Sequence, residues 1–306
     1  MPSLETTFCG LALPTPFVNG SGTLDALVSG TLGFSAFVTK TVTLNPREGN
    51  PPPRIAETPA GMLNSIGLAN PGLERFCDGD LPRLAELGVP IMASVGGWSP
   101  GEYATAVSRI GTHPAVAAIE LNVSCPNVES GCISIGTDAR ETRALVERCR
   151  AETDVPVLAK LSPSVTEIEA IATAAAEGGA DGLVLINTLR GIAIDRATLR
   201  PLLGGGGGGL SGPAVKPVAL HAVYHAFAAT GLPIVGMGGV ASAADASEFL
   251  AAGAVLVGIG TALFRDPGIV ERAGRELLDE LDRRGATGPG DLVAAAHQAT
   301  STSSRA

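Results

Sequence analysis

The chain has 306 residues, a length that fits either two average domains or one large α/β barrel. Hydrophobic residues make up 45% and charged residues 17%, so there is enough apolar material for a large core, and intrinsic disorder is excluded. The formal net charge of −9 leaves no chain-wide cationic field, so we expect neither nucleic acid nor an anionic membrane as a partner.

The amino-terminal segment has an acidic residue where a secretion signal would carry basic ones, and no apolar run follows it. Residues 1–16 predict a short β-hairpin that closes the bottom of the fold. The longest apolar stretch, Leu250 to Phe264, is interrupted by glycines and is shorter than the roughly 18 residues that a spanning helix needs. We therefore expect a cytoplasmic protein without a membrane segment.

Eight short apolar runs, each ending in a small or polar residue, predict strands. They are Phe17–Asn19, Ala36–Thr39, Pro90–Ser94, Ala118–Asn122, Val157–Lys160, Gly182–Asn187, Pro233–Gly236 and Val255–Ile259. Helix-like segments separate most of them, at Glu141–Glu152, Val165–Gly178, Ala214–Thr230 and Ala243–Ala252. Strands that alternate with helices pair in parallel, and eight such units close a (β/α)₈ barrel. The alternative is a doubly wound open sheet, which would need fewer strands and a glycine fingerprint after the first.

This pattern predicts a single barrel domain over residues 1–286 and a flexible tail over residues 287–306, which is rich in Gly, Ala, Ser and Thr. Two long connections, Thr41–Leu81 and Val123–Arg140, follow the second and fourth strands. Such folds keep their sites on the loops at the carboxyl ends of the strands. The six glycines at 204–209 contain a formal G-x-G-x-x-G, but no clear strand precedes them, so we interpret them as a flexible loop.

The residues at the predicted strand ends are polar or small, and they include Lys40 and Lys160. A lysine at the end of an apolar strand must face either the core or a ligand, and the core cannot solvate its charge. The glycines of Gly238-Gly239 and Gly260-Thr261 follow the last two strands, where barrels commonly bind phosphate through backbone N–H groups. Together these residues predict a rim that binds anionic, hydrogen-bonding ligands.

Five cysteines occur without a C-x-x-C pair, which gives little support to a disulfide framework or a metal site. Cys125 differs from the others because polar residues flank it on a loop just beyond the fourth strand. That setting favours a reactive thiol that can act as a base. The four histidines lie away from the strand ends, and we assign none of them a catalytic role.

The ordered motifs of this chain resemble those of class 1 dihydroorotate dehydrogenases, which are FMN-dependent (β/α)₈ barrels of pyrimidine biosynthesis. The matching stretches begin at residues 19, 39, 61, 122, 160, 186, 209, 236 and 260, and read NGSG, TKTVTLNPREGNPPPR, GMLNSIGL, NVSCPN, KLSP, INT, GLSGPA, GMGG and GT. They span residues 8–280 or so, and runs of this length in the correct order are highly specific.

The resemblance implies a role for individual residues. Dihydroorotate or orotate would be held by Lys40, Asn64, Ile66, Gly67, Leu68, Asn122, Asn127, Asn187 and Thr188. FMN would contact Ser21, Gly22, Lys40, Thr41, Asn122, Lys160, Ile186, Ser211, Gly212, Gly238, Gly239, Gly260 and Thr261. Cys125 stands where class 1 enzymes carry their catalytic base, and no metal is required.

The chemistry fits these residues. Oxidation of dihydroorotate removes a proton beside a carbonyl and a hydride from the neighbouring carbon, so one base and one hydride acceptor suffice. Cys125 would take the proton, the flavin would take the hydride, and Lys160 would stabilise negative charge on the flavin.

The Asn-Pro-Arg and Gly-Met-Leu-Asn phrases resemble the 1B subgroup, in which a partner subunit carries FAD and a [2Fe–2S] cluster and passes electrons to NAD⁺. We also expect a homodimer. Three alternatives stay open: a fumarate-using class 1A enzyme, another flavin-dependent dihydropyrimidine oxidoreductase, and a flavin-binding barrel without turnover.

Overall fold

The computed structural model of the chain describes residues 1–123 and 135–298. All eight predicted strands are present and form one sheet in which neighbouring strands pair in parallel. The strands are β3 (Phe17–Asn19), β4 (Phe37–Val38), β7 (Ile91–Val95), β8 (Val116–Asn122), β9 (Val157–Lys160), β10 (Gly182–Leu185), β13 (Ile234–Met237) and β14 (Ala254–Ile259). Their order in the sheet is β3-β14-β13-β10-β9-β8-β7-β4. The predicted (β/α)₈ barrel is confirmed.

Helices cover the outside of this barrel. They are α1 (Ala26–Ser29), α2 (Leu73–Arg75), α3 (Leu81–Ala85), α4 (Pro100–Gly111), α5 (Ala139–Arg150), α6 (Ile168–Glu177), α7 (Lys216–Thr230), α8 (Ala243–Ala251) and α9 (Ile269–Arg284). A π-helical turn, Phe76–Asp80, joins α2 to α3, and short 3₁₀ turns lie at Pro213–Val215, Thr261–Phe264 and Pro289–Leu292. Within the described ranges, no helix is both long and apolar enough to cross a membrane.

The predicted amino-terminal hairpin is also present, as β1 (Thr6–Phe8) paired antiparallel with β2 (Leu11–Leu13). Phe8 and Leu13 are buried in one cluster with inward-facing strand residues such as Leu158 and Leu256. The Cys9 thiol contacts the carbonyl oxygen of Asp181, just before β10 begins. The hairpin therefore closes the amino-terminal end of the barrel and leaves the carboxyl end open.

A second sheet, which the sequence patterns did not predict, lies beyond the carboxyl ends of the barrel strands. It has the antiparallel order β11-β12-β6-β5, with β5 (Ile55–Thr58), β6 (Gly61–Asn64), β11 (Leu189–Gly191) and β12 (Gly208–Ser211). Strands β5 and β6 lie in the long connection Thr41–Leu81, β11 follows the predicted strand end at Asn187, and β12 begins in the glycine run at 204–209. They are only three or four residues long, so they lack the alternation by which a strand is recognised.

The interpretation of residues 204–209 as a loop is wrong for its last two glycines, which lie in β12. Close packing explains their composition. A Cβ at Gly205 would lie 2.5 Å from Ser65 Oγ, and a Cβ at Gly209 would collide with the Thr188 side chain. The glycines allow this segment to lie directly against the neighbouring strand and loop, because a side chain would separate the backbones.

A side chain completes the barrel between its first two strands. A single parallel bridge, Val18 to Ala36, joins β3 to β4. Beyond it, fully buried Asn19 takes the place of a backbone ladder. Its Nδ2 donates to the Val38 carbonyl at 2.8 Å, and its Oδ1 accepts from the Val38 N–H at 2.7 Å. In the sequence Asn19 is one of the polar strand ends, and in the structure it closes the barrel.

The first part of the predicted tail makes contacts with the barrel. The Thr287 carbonyl accepts from the Ser3 N–H, Leu292 is buried, and the Ala294 N–H donates to the Leu250 carbonyl. The His297 ring stacks on Tyr224 with 3.9 Å between ring centroids. Residues 299–306 lie outside the described part of the chain, and the domain boundary at residue 286 stays a prediction.

We expect Asn19→Ala to lower the free energy of unfolding by about 2–5 kcal/mol, because it leaves the buried N–H and C=O of Val38 without their partner. Urea denaturation followed by circular dichroism measures this. The control is Asn45→Ala at an exposed position, which should change the free energy by about 0.5 kcal/mol or less. Equal stability of the two variants would contradict the role given to Asn19.

Candidate functional site

A cavity of about 690 Å³ opens at the carboxyl ends of the barrel strands, between them and the second sheet. That volume lies within the range of small-molecule sites. The predicted substrate residues that line it are Lys40, Asn64, Ile66, Gly67, Leu68, Asn122, Asn187 and Thr188. The predicted cofactor residues that line it are Ser21, Gly22, Lys40, Thr41, Asn122, Lys160, Ile186, Ser211, Gly212, Gly238, Gly239, Gly260 and Thr261. The remaining two predicted residues, Cys125 and Asn127, lie outside the described residues.

A chain of hydrogen bonds crosses the floor of the cavity. Ser94 Oγ lies 3.0 Å from Thr41 Oγ1, which accepts from Asn122 Nδ2 at 3.0 Å. Asn122 Oδ1 accepts from Asn187 Nδ2 at 3.1 Å, and Asn187 Oδ1 accepts from the Thr188 N–H at 2.8 Å. These bonds join residues from four separate strand ends. Because each amide is held by its neighbour, the two asparagines are oriented before a ligand arrives.

A buried ion pair lies below this chain. Lys160 Nζ is 3.5 Å from Glu120 Oε1, and the two side chains are only 7% and 2% exposed. Lys160 ends β9 opposite Asn122, and Glu120 lies two residues before Asn122 on β8, so it faces the same side of the sheet. Lys160 is visible in the sequence as the end of a predicted strand, whereas Glu120 lies inside one and is not among the predicted site residues. The available signal was an acidic residue inside the apolar run Val116–Asn122.

Lys40, which lies just after β4, also lines the cavity. A Cβ added to Gly22 would lie 2.7 Å from Lys40 Cδ, so the lysine stem lies directly against that glycine. Ser21 Oγ donates to the Thr39 carbonyl at 2.8 Å. The cavity therefore receives an ammonium group from Lys40 as well as from Lys160, and both suit an anionic ligand.

The predicted phosphate-binding glycines lie side by side. Gly238 and Gly239 follow β13 with φ values of 128° and 88°, which a side chain would strain. A Cβ at Gly239 would also lie 2.9 Å from the Gly212 carbonyl oxygen. Thr261 Oγ1 donates to Ser211 Oγ at 2.8 Å, which joins the end of β14 to the end of β12. Three glycine-containing turns thus line one end of the cavity, where a phosphate could approach the backbone without meeting side chains.

The loop that carries the predicted substrate residues Ile66, Gly67 and Leu68 is held by a residue that the sequence analysis did not select. Arg47 Nε donates to the Gly67 carbonyl at 3.1 Å, and its guanidinium lies 4.5 Å from the centre of the Trp98 ring. Gly67 and Leu68 both have positive φ. Arg47 therefore stabilises an uncommon backbone conformation beside the cavity. In the sequence Arg47 is visible only as one residue of the stretch TKTVTLNPREGNPPPR, which does not indicate this contact.

Three cysteines lie within the described ranges, and none of them lines the cavity. Burial, with a smaller contribution from the Asp181 charge, raises the pKa of the Cys9 thiol to about 12. Burial also raises the pKa of Cys149 to about 12, and it raises the pKa of Cys77. These thiols stay protonated at neutral pH, which disfavours each of them as a base.

Comparison with known proteins identifies the family of this chain. A family model for dihydroorotate dehydrogenase matches residues 3–281. A protein from Desulforudis audaxviator named dihydroorotate dehydrogenase B (NAD⁺), catalytic subunit, is 48% identical over 294 residues, which cover 94% of this chain and 96% of that protein. A protein of the same name from Anoxybacillus flavithermus is 46% identical, covering 92% and 93%.

One relative carries a different type in its name. A protein from Solibacter usitatus, named provisionally as dihydroorotate dehydrogenase A (fumarate), is 44% identical and covers 95% of this chain and 98% of its own. Among solved structures, the dihydroorotate dehydrogenase of Eimeria tenella in complex with ferulenol superposes with a TM-score of 0.82. It covers 97% of this chain and 89% of that one, and at 23% identity it supports the fold alone.

We expect the Glu120–Lys160 pair to be strongly coupled in stability. Glu120→Gln or Lys160→Met leaves one buried charge without its counter-charge, which should cost about 3–5 kcal/mol each. The double variant should lose less than the sum, with a coupling of about 1–3 kcal/mol in urea denaturation of the cofactor-free chain.

The matched control is the exposed pair Arg143–Glu177, whose atoms are 3.0 Å apart with both side chains 54% exposed. The same cycle there, with Arg143→Met and Glu177→Gln, should give a coupling of about 1 kcal/mol or less. Additive effects at Glu120 and Lys160 would contradict an ion pair at the cavity floor.

Proposed function

The chain belongs to the dihydroorotate dehydrogenase family, and from that premise we propose that it is the catalytic subunit of an NAD⁺-linked, B-type enzyme of the cytoplasm. It oxidises dihydroorotate to orotate in pyrimidine (UMP) biosynthesis with FMN as cofactor. The observation that carries this proposal is the cavity, which is lined by every described residue that the family resemblance had assigned to substrate or cofactor.

The residues present fit FMN. A phosphate needs several backbone N–H groups and little side-chain bulk, and the turns at Gly212, Gly238–Gly239 and Gly260–Thr261 provide both. A flavin ring needs an apolar wall and polar groups at its edge. Ile186 and Met237 lie on the wall, and Lys160 and Asn122 lie at the floor. When bound, FMN supplies the hydride acceptor of the reaction.

The substrate is a small ring that carries amides and a carboxylate. Asn122 and Asn187 are linked through Asn122 Oδ1 and Asn187 Nδ2, and they offer both kinds of amide hydrogen bond. The Lys40 ammonium supplies the positive charge that a carboxylate needs. We assign these three residues and Asn64 to substrate orientation, together with Asn127 from the sequence.

We assign the base to Cys125, on the resemblance and on its polar sequence neighbours. It takes the proton from the carbon beside the substrate carbonyl. The raised pKa values of Cys9 and Cys149, and their positions away from the cavity, support this choice over the described cysteines. Lys160 contributes a fixed positive charge at the cavity floor, which favours a cofactor that gains negative charge.

Electrons must leave the cofactor before a second turnover. The names of the B-type relatives, which specify NAD⁺ and a catalytic subunit, favour a partner subunit that links the electrons to NAD⁺. On the resemblance of the motifs to the 1B subgroup, we propose that this partner carries FAD and a [2Fe–2S] cluster. We also propose that the chain forms a homodimer. The Solibacter relative supports a second candidate, an A-type enzyme in which fumarate enters the orotate site.

The purified chain should show a flavin spectrum that dihydroorotate bleaches under anaerobic conditions. Cys125→Ala should keep the flavin and slow bleaching by about 10²–10⁴, the usual contribution of a positioned base. Cys125→Ser should recover some rate at higher pH only, because a hydroxyl is a weaker acid than a thiol of pKa about 8.5. Stopped-flow absorbance measures each rate.

Cys132→Ala is the control, since it removes a thiol from the same connection without removing the assigned base. It should bleach at the wild-type rate. A colourless chain that takes up no FMN would refute the cofactor, and a Cys125→Ala trace identical to wild type would remove Cys125 from the mechanism.

The isolated chain should turn over dihydroorotate with an artificial dye but with neither NAD⁺ nor fumarate. It shows no convincing dinucleotide fingerprint and no cysteine spacing for an iron–sulfur cluster, so NAD⁺ needs the partner subunit. Steady-state assays with each acceptor decide between the two types. Rapid fumarate reduction would indicate the A type, and rapid NAD⁺ reduction by the lone chain would refute both.

A further inference from the structure

Lys216 lies immediately behind the predicted phosphate turn without lining the cavity. It is the first residue of α7, and a Cβ added to Gly239 would lie 2.8 Å from Lys216 Cβ and 3.1 Å from its backbone nitrogen. The backbone at Gly239 therefore lies directly against the first turn of α7. Any movement of that turn would move the glycines that line the cavity.

The Lys216 ammonium group points to the next helix. Its Nζ lies 2.6 Å from Asp245 Oδ1 and 2.8 Å from Glu248 Oε2, both on α8. The Lys216 and Asp245 side chains are 26% and 15% exposed, so solvent screens their pair less than it screens the pairs on the outer surface. Lys216 does not line the cavity and its ammonium is held by two carboxylates, so it is a poor candidate for direct contact with a phosphate.

Asp245 connects this ion pair to the turn itself. Its Oδ2 accepts from the Ala241 N–H at 2.9 Å and from Ser242 Oγ at 2.8 Å. Ser242 Oγ in turn accepts from the Asp245 N–H and begins α8. The segment from Gly238 to Ser242 is thus held between Lys216 on one side and Asp245 on the other.

The charges suit this arrangement. Burial opposes ionisation of Asp245, but the hydrogen bonds from Lys216, Ala241 and Ser242 outweigh it and hold the pKa of Asp245 below its usual value. The hydrogen bonds to Asp245 and Glu248 raise the pKa of Lys216. Both groups therefore stay charged across neutral pH.

Helix stability does not explain a lysine at this position. The first turn of a helix carries partial positive charge, so a cation there is unfavourable. Lys216 occupies the first position of α7 all the same, and its ammonium is used to bridge to α8. The unfavourable electrostatic energy of a cation at the start of α7 is offset by the ion pair of Lys216 with Asp245, which also binds the Ala241 N–H of the turn.

We propose that Lys216, through its ion pair with Asp245, is a positioning residue for the cofactor phosphate. It holds the first turns of α7 and α8 together, so that the backbone N–H groups of the Gly238–Gly239 turn converge before FMN binds. The inference rests on the FMN dependence proposed above. It assigns Lys216 to the binding of the phosphate alone and not to the flavin ring.

The test compares two ligands on the cofactor-free chain, FMN and riboflavin, which lacks the phosphate. Quenching of flavin fluorescence gives each dissociation constant. Lys216→Met should weaken FMN binding by about 10- to 100-fold and change riboflavin binding less than about twofold, because losing preorganisation at one end affects only the group bound there. Lys216→Arg should restore most of the affinity, since it keeps the charge.

Asp245→Asn is the second variant, which keeps the shape of the side chain should Lys216→Met fail to fold. It should weaken FMN binding in the same direction. Arg143→Met serves as the control, because it removes an ion pair between α5 and α6, neither of which carries Lys216 or the Gly238–Gly239 turn, and it should leave both dissociation constants unchanged.

Unchanged FMN affinity in both Lys216→Met and Asp245→Asn would overturn the inference, as would equal weakening of FMN and riboflavin, which would indicate a general structural role. A wild-type chain that binds riboflavin and FMN equally would overturn it too. A wild-type chain that binds neither would refute the proposed cofactor, and that result is distinguishable because it appears before any substitution.

Discussion

Closure of the barrel at Asn19 is the constraint on which the site depends. The bridge between Val18 and Ala36 is a single pair, and the Asn19 carboxamide extends it by exchanging two hydrogen bonds with the Val38 backbone. A closed parallel barrel must direct all its strand ends to one rim. Ser21, which follows β3, reaches the Thr39 carbonyl and the Thr41 hydroxyl, which follow β4, because this seam is closed.

Inside that rim, polar groups are tolerated because each has a partner. Removing a charge or an amide from water is costly, and the cost is recovered only when every group is paired. The hydrogen-bond chain through Thr41, Asn122 and Asn187 and the ion pair of Glu120 with Lys160 meet that requirement. The same pairing fixes their orientation, so stability and ligand recognition have a common origin at the cavity floor.

The second sheet explains how the cavity obtains its upper wall. It combines strands β5 and β6 with strands β11 and β12, which are more than 100 residues away along the chain. Their pairing places Asn64 opposite Gly209 and brings Ser211 to the end of the barrel near Thr261. The glycines at 204–209 permit this close approach, so the composition that resembled a flexible linker serves packing between backbones.

The sequence by itself determined the eight barrel strands, the parallel pairing and the residues of the rim. Buried strands read as apolar runs, and a polar residue at the end of such a run is locally visible. It did not reveal the second sheet, Glu120 as the partner of Lys160, the hold of Arg47 on Gly67, or the contact of Lys216 with Asp245. Each of these is a pairing between segments distant in the chain, and no local pattern encodes which segment a residue will meet. Only the closed fold, by bringing those segments within hydrogen-bonding distance, decided their partners.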